Sequence, residues 1–159
     1  MNLHPMHTLS SLALVAALSV GCAQPGGGHS HGADAAPDAR QRVDFPDEMR
    51  QHTLSNMRDH LLALAQIQEA LAAGAHERAA QVAEQRLGMS SLQAHGAHEA
   101  SRHMPQGMQD IGTSMHRSAS RFALEVANSA ATGRLEPALA ALARTTQACV
   151  ACHAAYRLQ

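Results

Sequence analysis

A chain of 159 residues with a formal charge of −1 is long enough for one domain with its own core, and it lacks the basic excess that phosphate contacts need, which excludes a nucleic-acid partner. Aromatic residues are 2% of the chain, with no Trp, one Tyr and two Phe, so Leu, Ala and Met, or something that is not protein, must fill the interior. Three cysteines call for no disulfide framework.

The chain opens on a short apolar run, Leu9 to Val20, in the place of a secretory h-region, although His4 and His7 stand where Lys or Arg is usual. Residues 1–21 are therefore expected to be a signal peptide. Leu18-Ser19-Val20-Gly21-Cys22 resembles the lipobox of bacterial lipoproteins, with Ser19 in place of the usual Leu. That resemblance implies lipidation at Cys22 and a membrane contact only through this anchor; ordinary cleavage near Ala23 is the alternative. Either route predicts a periplasmic protein. Residues 22–44 read as a flexible linker, with Pro25, a run of three Gly, and His29 and His31 as a weak metal-binding pair.

Residues 45–159 read as a domain of four helices. Pro46 with Asp47 and Glu48 suits a helix start. Leu54, Met57, Leu61, Leu64 and Leu71 form its apolar seam, and Gly74 stops it. A second helix begins near His76 and is carried by Ala79, Val82, Ala83 and Leu87, with an indistinct far end beyond Gly88 and through about Ala94. His95, His98 and His103 then fall in a loop as a candidate second metal site. The third helix starts around Pro105 and presents Met108, Ile111, Met115, Phe122 and Val126, ending before Gly133. His52, His60 and His116 lie on predicted helices and read as surface residues unless one turns inward.

The fourth helix, from about Leu135, carries Leu135, Leu139, Leu142, Thr146, Cys149, His153 and Tyr156 at intervals of three and four, which predicts one inward seam. Within it stands Cys149-Val150-Ala151-Cys152-His153. A CxxCH run is the attachment signature of a c-type haem: two thiols form thioethers and the adjacent imidazole binds iron. On a helix all three side chains leave from about one face. A zinc site would want a second ligand pair, and a thioredoxin-like pair a βαβ context. Short turns after the first and third helices argue an antiparallel four-helix bundle, all-α in class, with haem c inside it.

The C-terminal Cys149, Cys152, His153, Tyr156 and Arg157, with Met49-Arg50-Gln51 at the start of helix one, resemble the cytochrome c′ and cytochrome c-556 family. The resemblance covers about Phe45 to Leu158. It implies Cys149 and Cys152 as thioether residues, His153 as axial ligand, and Arg50, Tyr156 and Arg157 around the haem. It also implies that the distal face decides mechanism. The family's distal position falls on Leu54, which leaves iron open to NO or CO; Met57, one turn later, would be a sixth ligand. The expected function is a monohaem, one-electron carrier of the cell envelope with redox-protein partners. The alternatives are an NO-buffering cytochrome c′ or a His-rich metal-handling lipoprotein with structural haem. The family's dimers make a homodimer an expectation as well. No second acid–base pair or activated nucleophile can be placed beside the haem, so an enzyme is not expected.

Overall fold

Pro46, held at φ −52° and ψ 144°, ends a short extended segment and starts the first long helix, in a computed structural model that describes residues 37–159. The predicted leader, Cys22, His29 and His31 lie outside those residues. In chain order the elements are β1 (Gln41–Val43), α1 (Asp47–Ala72), α2 (His76–Arg86), a 3-10 turn (Met89–Ser91), α3 (Ala97–Ser101), α4 (Gln106–Thr132), α5 (Glu136–Ala155) and β2 (Tyr156–Leu158). The fold is all-α apart from one parallel pair of three-residue strands.

Local signals account for most boundaries. Asp47 and Glu48 sit in the first turn of α1, at the positive end of its dipole. Gly133 closes α4 in the left-handed region at φ 69°, where a side chain would be strained. Pro137 occupies the first turn of α5, where its missing N–H costs nothing. The second helix is shorter than the sequence suggested: it ends at Arg86, and the chain turns at Gly88 into the 3-10 segment. A Cβ at Gly88 would lie 2.8 Å from the Glu84 carbonyl oxygen, so only glycine lets the chain turn this tightly.

The main core is built from small residues. Ala63, Ile67 and Ala70 of α1 meet Ala79, Val82 and Ala83 of α2, Ala119, Phe122, Ala123 and Val126 of α4, and Ala138 and Ala141 of α5, all buried. The most extensive helix contacts are α4 with α5, α2 with α4, and α1 with α2. Alanine at the contacts lets the backbones approach, and Phe122 and Ile67 fill what remains. A bidentate pair ties α2 to α1 at the edge: Arg86 donates to both carboxylate oxygens of Asp59, to the Asp59 carbonyl at 3.1 Å and to Gln66 at 2.6 Å.

Two expectations are corrected. Residues 41–43, assigned to the linker, are strand β1, pairing in parallel with β2 in the register Gln41 to Tyr156, Arg42 to Arg157 and Val43 to Leu158. Consequently Tyr156 does not continue the seam of the last helix; it leaves the helix at φ −129° and ψ 151°. The buried face of α5 is also turned by one position from the predicted seam. Ala138, Ala141 and Thr145 are buried, whereas Leu139 and Thr146 are exposed. The physical reason is packing distance, since the small side chains permit the close α4–α5 contact and the leucines flank it. In α1 the same turn places Thr53, Ala63, Ile67 and Ala70 inward and leaves Leu61 69% exposed.

Candidate functional site

A second, smaller apolar cluster forms where the two strands meet the helices. Val43, Phe45 and Met108 are its buried members, and Met49, Met104, Cys152, Tyr156 and Leu158 pack against them. The backbone locks this end: Gln159 N–H donates to the Val43 carbonyl at 3.1 Å, and Arg40 donates from Nη1 to the His153 carbonyl at 3.3 Å. Gly107 makes room for the ring of Tyr156, whose hydroxyl would lie 2.5 Å from a Cβ at that position. The residues that precede α1 and those that follow α5 therefore fasten each other, and the last two turns of α5 are held between this clamp and the main core.

Between the two clusters lies a cleft of about 740 Å³, within the size range of cofactor and ligand sites. Cys149, Cys152 and His153 of α5 line one wall. Met57, Leu61 and Leu64 of α1 line another, with Met108, Ile111, Gly112 and Met115 of α4 between them. The walls are mostly apolar. Neither Cys149 nor Cys152 is in a disulfide. Burial pushes both thiols up from their ordinary pKa, with the neighbouring Cys149 adding to the effect at Cys152, so both are protonated thiols at neutral pH rather than thiolates.

The distal candidates separate in this geometry. Met57 faces the cleft, together with Thr53 and Asn56 on the same stripe of α1, whereas Leu54 is not among the lining residues. Arg50 is half-buried at the start of α1 and shares a contact of 3.4 Å with Asp47; its Nε is buried without a hydrogen-bond partner among the described residues. Arg157 stands in β2 with its Nε 3.7 Å from the Asp38 carboxylate, within ion-pair reach but without a hydrogen-bond partner among the described residues.

The histidines regroup. His98 is exposed beside Arg102, at 3.3 Å, and the ring of His103 meets the edge of Phe45 with centroids 6.1 Å apart. His95 instead joins His60 of α1 and His116 of α4. The ring centroids are 4.7 Å apart for His60 and His95, 5.6 Å for His95 and His116, and 5.9 Å for His60 and His116. All three line the cleft. The grouping is fixed by polar contacts: His52 Nε2 and Asn56 Nδ2 donate to the His95 carbonyl at 3.1 and 3.0 Å, and His116 Nδ1 donates to the Leu87 carbonyl at 2.8 Å. Burial, followed by repulsion from the neighbouring imidazoles, lowers His60 to about 4; burial also lowers His95 and His116. All three are neutral at pH 7. Sequence spacing missed this trio, although His60 lies three residues after Met57 and His116 one after Met115, on the cleft-lining stripes of their helices. Among the described residues no group of three or more His, Cys, Asp or Glu side chains stands in metal-holding geometry.

Comparison of the chain with protein-family models, with curated proteins and with solved structures returns no match.

Proposed function

We propose that the protein is a monohaem c-type cytochrome of the cell envelope, an electron carrier built as an antiparallel four-helix bundle of the cytochrome c′ kind. The observation that carries this reading is the meeting of the Cys149-x-x-Cys152-His153 ridge with an apolar cleft of about 740 Å³. The residues present fit haem c on two further counts. Gly112 lines the cleft, and a Cβ there would meet nothing within 4 Å, so the middle of α4 carries a residue that costs about 1 kcal/mol relative to Ala in a helix and leaves a flat wall. Arg50 offers a buried guanidinium nitrogen with no hydrogen-bond partner among the described residues, the kind of donor that carboxylates such as the haem propionates take.

When bound, haem c supplies reversible one-electron chemistry at its iron. Cys149 and Cys152 would hold it covalently, and His153 would ligate its iron from the same helical ridge. Met108, Ile111 and Met115 give the cleft apolar walls, which lower the dielectric around a bound group. The clamp of β1 on β2 restrains the backbone that follows His153 and so limits reorganisation there. Met57 in the cleft wall and Leu54 outside it favour a Met-ligated, low-spin carrier over a site open to NO or CO.

The test is the absorption spectrum of the full chain matured with haem. We expect covalent haem that survives denaturation, and a low-spin oxidised spectrum with a Met-to-iron band that Met57→Leu removes. A high-spin wild-type spectrum that shifts on adding NO would overturn Met57 ligation, and haem that is extracted on denaturation would overturn the assignment itself.

A further inference from the structure

His60, His95 and His116 come from three separate parts of the chain, α1, the loop before α3, and α4, and no role in holding haem by thioethers or by His153 uses them. Two of their nitrogens stand at the spacing of ligands on one metal. His60 Nε2 and His95 Nδ1 stand 3.4 Å apart, and two imidazole nitrogens on one tetrahedral zinc at about 2.0–2.1 Å are separated by about 3.3–3.4 Å. In the metal-free protein that contact is an N–H to N hydrogen bond. His116 donates its Nδ1 hydrogen to the Leu87 carbonyl at 2.8 Å, which fixes the tautomer and leaves Nε2 with its lone pair; a metal-ligating histidine almost always makes such an outer hydrogen bond through its other nitrogen. Two donors from α1 onto the His95 carbonyl hold the loop residue against the helix.

We propose that His60, His95 and His116 form a binding site for a late first-row divalent cation, Zn²⁺ or Cu²⁺, in the wall of the cleft. The three imidazoles do not enclose one point as they stand; closure requires rotation of the His60 and His95 rings, which are part-buried beside the open volume of the cleft. Neutral imidazole is the form that binds, and it suits these metals better than Mg²⁺ or Ca²⁺. Three protein ligands leave a fourth coordination position that opens on the cleft, the pattern of reactive rather than structural zinc sites. The site draws on the trio and on none of the residues that would hold haem.

The experiment is calorimetric titration of the chelator-treated, full-length protein with ZnCl₂ and CuSO₄, in a His29→Gln/His31→Gln background that removes the N-terminal pair. We expect one equivalent of metal to bind, His60→Gln and His95→Gln each to weaken binding at least tenfold, and His98→Gln and His103→Gln to leave it unchanged. His116→Gln should act like the first two; because it is buried, helical circular dichroism is recorded for each variant, and His60→Gln alone is sufficient to decide. Absence of binding, or affinity indifferent to His60→Gln, overturns the site. Covalent haem is measured in the same samples: haem without metal overturns this proposal only, and metal without haem overturns only the cytochrome assignment.

Discussion

Leu54 and Met57 differ by less than one helical turn, yet only Met57 lines the cleft. The rotation of α1 that buries Thr53, Ala63 and Ile67 decides this, and periodicity averaged over a helix does not resolve a shift of one position. His60, one turn further, carries a measurable consequence of its own. The groups that face it are His95, His116, Asp59 and Arg86. Its folded-state pKa of about 4 lies below the ordinary 6.5, so on acidification the unfolded chain takes up the proton first. The stability present above pH 6.5 is thus lost progressively as pH falls to about 4. Urea unfolding of the chelator-treated protein should show this loss, and His60→Gln should flatten the slope across that window; an unchanged slope would mean that His60 is solvated.

At the scale of elements, α5 carries both the Cys149, Cys152 and His153 ridge that lines the cleft and the contact with α4, and these occupy neighbouring faces of the helix. The sequence read them as one seam because Leu139, Leu142, Thr146, Cys149 and His153 are spaced as a core face would be. Ala138, Ala141 and Thr145 are the residues inside, and their small size gives little hydrophobic signal. The strands were missed for a related reason: three residues each carry no periodicity, and their pairing joins positions 41–43 to 156–158. Gly107 is the point where this clamp is most sensitive. Gly107→Val sets a side chain against the Tyr156 hydroxyl, and overpacking of this kind costs about 2 kcal/mol. Equilibrium unfolding should register that loss, whereas Gly112→Ala, which meets nothing within 4 Å, should gain stability in the haem-free chain and hinder haem uptake.

On the scale of the whole molecule, the described chain has a protein-packed half and a half whose apolar walls face a cleft. Ile67 is fully buried in the first and Leu61 lines the second. Ile67→Ala should cost about 3 kcal/mol with or without haem, as core truncations do. Leu61→Ala should cost little in a Cys149→Ala/Cys152→Ala variant and more in the haem-loaded protein; equal costs in both would show that the cleft wall does not pack against haem. What the sequence determined by itself was local: helix starts at Pro46 and Pro137, stops at Gly74 and Gly133, the apolar stripe of α4, and a CxxCH run contained within five residues. Such features are written in contiguous residues because caps, periodicity and covalent spacing act over one or two turns. Only the tertiary structure decided which face of α1 and α5 turns inward, that the segment before α1 fastens the tail after His153, and that histidines at 60, 95 and 116 share one wall. Those outcomes depend on how closely small side chains let helices approach, and on loops that bring distant residues together, neither of which leaves a periodic mark in the chain.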